Sequence, residues 1–321
     1  MVADRTAGKT SRRLPSILLA YLWIAPAAIM YCIFAVYPLT QTIRYSFYDW
    51  DGIGLASWVG LDNYHSVLSD QQLYGSLVNT LTLILFICVV PVALGLVAAS
   101  AARLVRSAGF AAAARAVLFL PQIVPLAAAA VAWTWMYADA GPINQLLRSV
   151  GLGGLTRPWL GDFSTALPAV GLIGSWVMIG FCTVVLTAGI GRIDASLYEA
   201  ARLDGANALQ EFFAVTLPGL RHEIVVCVTV TLIAAIASFD LIYMTTQGGP
   251  GYSTMVPGVQ VVRLAFTENR VGLASALAVV LLVIILAIVL PVQRLNREGS
   301  VRCEIGGSNW AGLSPSSCSW R

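Results

Sequence analysis

Very few residues in this chain of 321 are of a type that makes or breaks bonds. There are two histidines, His65 and His222, one lysine, Lys9, and six cysteines. A phosphate-cradling loop needs G-x-x-x-x-G-K-[ST], but at Gly8-Lys9-Thr10 the required first glycine is Ala3. Neither H-E-x-x-H nor C-x-x-C occurs, so no zinc or thiol-redox pattern is present. Cys32, Cys88, Cys182 and Cys227 fall in apolar runs, where cysteine behaves as a small hydrophobe; Cys303 and Cys318 lie near the C-terminus. The polar residues that do gather form one segment, with Glu199, Asp204, Glu211 and Glu223 interleaved with Arg202, small residues and phenylalanines. That mixture suits docking against another protein rather than catalysis. The chain therefore reads as a non-enzyme with no cofactor or metal of its own.

The elements around that segment are apolar. The chain is 58% hydrophobic and 11% charged, against about 25% charged in soluble domains, so lipid must be its solvent. A net charge of +3, with no basic array, gives no sign of nucleic acid. Six windows are long enough to span a bilayer: 17–37, 77–100, 116–137, 168–190, 224–244 and 271–291. Short alternating strands, the mark of a barrel, are absent from the pattern. An all-α integral membrane protein of six transmembrane helices follows, since a helix satisfies its own backbone in lipid. With the N-terminus inside, fourteen of the basic residues fall in cytoplasmic segments and five in outer ones, so both termini are expected in the cytoplasm. His65 and His222 then lie on opposite sides of the membrane. Ala25-Pro26-Ala27 resembles a signal-cleavage triplet, but it sits inside the first apolar run, so the run is read as retained. Residues 1–16 form a cytoplasmic tail, 17–298 the membrane domain, and 299–321 a tail whose Gly/Ser content predicts disorder. Pro91, Pro121 and Pro125 should bend their helices, and Gly171-x-x-x-Ser175 should allow close helix packing.

This orientation puts residues 191–223 in the cytoplasm between the fourth and fifth helices. Ser196 to Glu199 fits a capping box, Gly205 a turn, and Asn207 with Gln210 a second cap. Leu209, Phe212, Phe213 and Leu217 give the second helix an apolar face, and Pro218 ends it or opens the next. Helix, glycine turn, helix is therefore expected. Such a device either lies on lipid headgroups or fills a partner's groove. Its acidity favours the groove. Phe212 and Phe213 either anchor there or pack against their own helices.

The stretch "EAARLDGANALQEFFAVTLP", Glu199 to Pro218, resembles the EAA signature of ABC-importer permeases. Glu199, Ala200, Ala201, Asp204, Gly205, Ala206 and Pro218 stand where that pattern needs them. The segments "TTQGGPGYST", "FLPQIVP" with Trp133, Gly141 and Asn144, "VGLDNY" and "NT" (Asn79–Thr80) resemble the maltose-type, carbohydrate-importing branch. The likeness covers roughly residues 17–298 and leaves the tail unmatched. It implies a coupling helix at 191–223 that inserts into an ATPase subunit, with Glu199 and Asp204 making polar contacts, Ala200, Ala201 and Gly205 allowing close approach, and Ala206 completing the coupling set. It also implies a second homologous permease, two ATP-binding subunits that hold ATP and magnesium, an extracytoplasmic sugar-binding protein, and a multi-pass position in lipid of the bacterial inner membrane.

Sugar sites combine aromatic faces with hydroxyl-bonding groups. Gln122, Trp133, Trp176, Asp240 and Tyr243, in or beside the spans, are the candidates for the pathway. Each tryptophan reads more readily as a packing or interface aromatic, and Asp240 as an organiser of the outer loop, with pathway roles as the alternative. The rival reading is an ion-coupled secondary carrier of small solutes. Such carriers bury several ionisable groups and often carry paired repeats, whereas these spans hold essentially one, Asp240.

Overall fold

A computed structural model describes residues 16–105 and 107–307, the side chains at 16–20, 22, 104, 108, 111 and 295–307 excepted. Among the described residues the chain is mostly helical. Four helices are long and apolar enough to cross a membrane: α1 (Trp23–Tyr45), α2 (Gln71–Arg103), α3 (Ala166–Ile190) and α4 (Val271–Gly307), whose apolar part is Val271–Arg294. The 25 residues of α3 extend about 37 Å, more than the roughly 30 Å hydrocarbon core requires. Two bent pairs raise the number to as many as six: Ala112–Ile123 with Leu126–Met136, and Ala208–Gly219 with Arg221–Ile236. Residues 308–321, most of the predicted disordered tail and including Cys318, lie outside the described residues.

Two of the six predicted windows are not single helices. The third window turns by 98° after Ile123. Val124 there is extended because the ring of Pro125 disfavours helical geometry in the residue before it. Pro121, by contrast, is accommodated inside the Ala108–Ile123 helix. The fifth window is interrupted at Ala237, and the chain restarts as a short helix, Phe239–Thr245. Pro91 does not break α2. It follows a wide π-turn at Leu85–Val89, and the helix runs on to the Arg103 end. Proline has no N–H to give to the carbonyl four residues back, and a π-turn is a local way to absorb that loss.

α3 is the centre of the packing, with 61% of its most apolar window buried, whereas the corresponding window of α1 has none. α3 is lined with small residues where neighbours cross. A Cβ on Gly171 would lie 2.7 Å from the Phe86 Cβ, and one on Gly174 2.6 Å from Ile87, so α2 approaches at its π-turn. Ser175 donates to the Phe86 carbonyl, which the π-turn leaves available. At Gly180 a Cβ would fall 2.1 Å from the Leu118 carbonyl oxygen of the Ala108–Ile123 helix. The predicted small-residue packing of Gly171 and Ser175 is therefore present. A two-stranded hairpin, β1 (Tyr48–Asp49) and β2 (Ser57–Trp58), pairs Tyr48 with Trp58 and closes the connection after α1.

Candidate functional site

The segment after α3 folds as a hairpin of helices. The first, α5 (Ala195–Leu203), is capped by Asp194, whose carboxylate accepts from the Ser196 N–H at 3.0 Å. This corrects the expected Ser196 cap: aspartate two residues earlier takes that place, and Ser196 lies inside the first turn. Gly205 adopts φ +84°, the left-handed turn expected of it, and the Ala206 N–H returns to the Ala201 carbonyl at 2.9 Å. Asn207 then caps the second arm, α6 (Ala208–Gly219), reciprocally with Gln210 at 2.9 and 2.8 Å. A π-turn at Phe212–Thr216 precedes Pro218, and the arm meets the Arg221–Ile236 helix at 72°.

The residues singled out from the signature lie on the outside of this hairpin. Glu199, Ala200, Asp204 and Gly205 are exposed, and Ala201 and Ala206 are half-buried. A Cβ on Gly205 would meet nothing within 4 Å, so the turn itself is open to approach. Leu203 is 89% exposed, and Leu197, Leu209 and Phe213 stand out beside it. Phe212 tilts inward, half-buried, and its ring meets Phe213 edge-on at 5.1 Å.

Two acidic residues of the same segment turn inward instead. Glu211 is 4% exposed and holds Arg103 and Arg202 at 2.7 Å each. The two guanidiniums keep its carboxyl below the usual range, with Arg202 the stronger influence. Arg103 also lies 3.7 Å above the Tyr198 ring, and the Tyr198 hydroxyl meets Thr216 at 3.1 Å. Glu223, likewise buried, pairs with Arg192 at 2.7 Å and closes the base of the hairpin. The sequence marked these carboxylates only as part of an acidic loop. Their role as clamps needed the positions of the arginines: Arg103, more than a hundred residues upstream, for Glu211, and Arg192, at the end of α3, for Glu223.

The pathway candidates separate into three places. Trp133 and Trp176 meet edge-on at 5.5 Å and line an open cavity of about 520 Å³ with Tyr137, Trp159, Val90 and Leu94. Its walls are almost wholly apolar, with Ser164, Thr165 and Ser175 among the few hydroxyls. Asp240 and Tyr243 share the exposed side of the Phe239–Thr245 helix, Tyr243 stacked on Phe239 at 5.0 Å, and neither lines that cavity. Gln122 sits at the break of its helix pair, its Oε1 buried without a hydrogen-bond partner among the described residues. Other resemblance residues act as clasps. Asn79 donates to the Met255 carbonyl at 2.9 Å, tying α2 to the Gly-Gly-Pro loop, while Thr246 and Thr254 join within that loop at 2.7 Å. Asn144 is fully buried, bonded to the Arg157 carbonyl and the Trp159 indole. Asn63 holds the carbonyls of Ser46 and Tyr48.

Apolar helices of crossing length, packed through glycines and joined by a capped, outward-facing helical hairpin, define a multi-pass membrane protein. Comparison with known proteins carries this further. The family model of the binding-protein-dependent transport system inner membrane component matches residues 92–298. The probable ABC transporter permease protein YurN of Bacillus subtilis is 34% identical over 288 residues, covering 88% of this chain and 97% of that protein. The diacetylchitobiose uptake system permease protein NgcF of Streptomyces coelicolor is 33% identical, covering 88% and 83%. A chain from the crystal structure of a bacterial ABC transporter involved in alginate import superposes with a TM-score of 0.74 at 26% identity, covering 88% and 96%. The chain belongs to the family of binding-protein-dependent transport system inner membrane components, and is a permease subunit of an ABC importer.

Proposed function

We propose that this chain forms half of a carbohydrate pathway through the bacterial inner membrane, crossing it six times with both termini in the cytoplasm. The observation that carries the reading is the α5–α6 hairpin. It is capped at both arms, clamped at its base, and presents Leu203, Leu209, Phe213, Glu199 and Asp204 outward. A groove-filling contact needs this combination of stiffness, apolar anchors and orienting charge. The partners are a second permease, two ATP-binding subunits that hold ATP and magnesium, and an extracytoplasmic sugar-binding protein. This chain supplies no ATPase motif. ATP closes its partners, the hairpin carries the motion, and the helices alternate between outward and inward access; for this the hairpin must bind differently in the two states.

The solute class is a carbohydrate or related polyol. The diacetylchitobiose permease among the relatives supports it, as do the paired Trp133 and Trp176 faces in the cavity. Gln122, Asp240 and Tyr243 would supply hydroxyl-bonding groups along the path, with Asp240 and Tyr243 on a face that a second permease can complete.

Crosslinking tests the coupling contact. With Ala201→Cys in the full assembly, a cysteine-directed crosslinker should join this chain to an ATP-binding subunit. Gly205→Asp should abolish uptake while leaving membrane insertion intact, because a side chain fits φ +84° poorly and intrudes on the contact. Crosslinks only to extracytoplasmic proteins would reverse the orientation. Solute movement by the purified chain alone, driven by a proton or sodium gradient, would favour an ion-coupled carrier.

A further inference from the structure

We infer that Glu211 is a positioning residue for transport: it locks the coupling hairpin to α2, so that the two move as one lever against the cavity wall. The inference deepens the proposed function and rests on its assignment of the hairpin as the ATPase contact.

The carboxylate of Glu211 has two partners with different addresses. Arg202 belongs to α5, the arm that carries the outward signature residues, and binds at 2.7 Å through Nε. Arg103 closes the end of α2, remote in sequence, and binds the other oxygen at 2.7 Å. Glu211 itself lies on α6, so a single group ties three helices. The Arg103 guanidinium is further fixed over Tyr198 of α5 at 3.7 Å. Its side chain is 23% exposed, so the pair is shielded from solvent and screening more than a surface ion pair is.

α2 is suited to carry what it receives. From Arg103 to Leu94, a wall residue of the cavity, is nine residues, or about 14 Å of helix. Along this stretch α2 is pressed on α3, where a Cβ on Gly95 would lie 2.7 Å from the Cys182 Cβ. Beyond Leu94 the α-helical segment ends at the π-turn Leu85–Val89, where the α-helical bonding of α2 is relaxed. The segment Val90–Leu104 is therefore a stiff arm with a softer joint at one end and the Glu211 clamp at the other. A buried ion cluster is a poor source of net stability, because desolvation offsets attraction. Its value here is geometric: it fixes which part of α2 follows the hairpin.

The test uses the full assembly reconstituted with its ATP-binding subunits, second permease and loaded binding protein. Glu211→Gln keeps the shape and removes the charge. The complex should still copurify and hydrolyse ATP, while solute moved per ATP falls about tenfold, equivalent to roughly 1.4 kcal/mol of coupling. Arg103→Gln should do the same, whereas Arg103→Lys, which keeps a cation at the end of α2 beside Glu211, should retain most of the solute moved per ATP, a graded response to charge that a merely structural role would not produce. Unchanged solute per ATP in Glu211→Gln would overturn the clamp. So would an Arg103→Lys variant that is as poorly coupled as Arg103→Gln. Crosslinking from Ala201→Cys, with Glu211 and Arg103 unchanged, keeps the two readings apart. If it reaches the ATP-binding subunit and Glu211→Gln is fully coupled, only the clamp fails; if it does not, the hairpin assignment fails first.

Discussion

Among single residues, the acidic group divides by what faces it. Glu199 and Asp204 project into solvent, whereas Glu211 and Glu223 are buried against arginines. The consequence for Glu211 is a pH dependence. Its folded pKa lies below the ordinary value of 4.5, so the folded protein gains from this group at higher pH. That gain is complete above the unfolded pKa and disappears as pH falls through the lower folded value. Thermal unfolding in detergent should therefore lose midpoint temperature below about pH 4.5, and Glu211→Gln should flatten that limb of the curve. The Asn207 cap offers a second, pH-independent check. Asn207→Ala leaves the Gln210 N–H without its acceptor and should cost about 1 kcal/mol, read as a lowered unfolding midpoint.

Between elements, the tightest constraints are glycines on α3. Gly180 admits the Leu118 carbonyl so closely that any side chain must push the Ala108–Ile123 helix away. Gly180→Ala should destabilise by about 1–3 kcal/mol, seen as earlier aggregation in a detergent thermal ramp, while Gly109→Ala, whose Cβ would meet nothing, should not. The helix breaks follow a different logic. Pro125 was legible as a bend because proline constrains the residue before it, and Val124 is extended. The interruption at Ala237–Ser238 had no such marker, for neither residue is a helix breaker by type; Ala237 takes ψ +23° and Ser238 ψ +33° where the chain turns from one packed helix to the next. The Ser196 cap failed for a related reason. Aspartate and serine are both good caps, and the choice between positions two apart depends on where the preceding turn releases the chain after Gly191.

For the molecule as a whole, the cavity of Trp133 and Trp176 and the exposed Asp240–Tyr243 face are separate within this chain. If both serve one pathway, as proposed, removing the aromatic face should weaken solute handling without disturbing the ATPase contact. Trp176→Ala is the cleaner probe, since Trp176 is 37% exposed while Trp133 packs against the main apolar core. In the reconstituted importer it should raise the uptake KM several-fold, equivalent to about 1 kcal/mol, and leave basal ATP hydrolysis unchanged. An unaltered KM would place the solute elsewhere, on the Asp240 side or in the second permease.

By itself the sequence determined what depends on composition and local chemistry. Lipid is the solvent because too few charges exist to meet water, the glycine turn and Asn207 cap are where local bonding needs them, and the signature between Glu199 and Pro218 marks the family. Tertiary structure alone decided which polar groups serve the fold. Asn63, Asn79, Asn144 and Glu211 became clasps only because distant segments deliver their partners: carbonyls of the hairpin, the Gly-Gly-Pro loop and the Arg157 turn, and the guanidinium of Arg103. A charge or amide announces that it needs a partner, but long-range packing selects that partner, because helices brought together by small residues bring their polar ends with them.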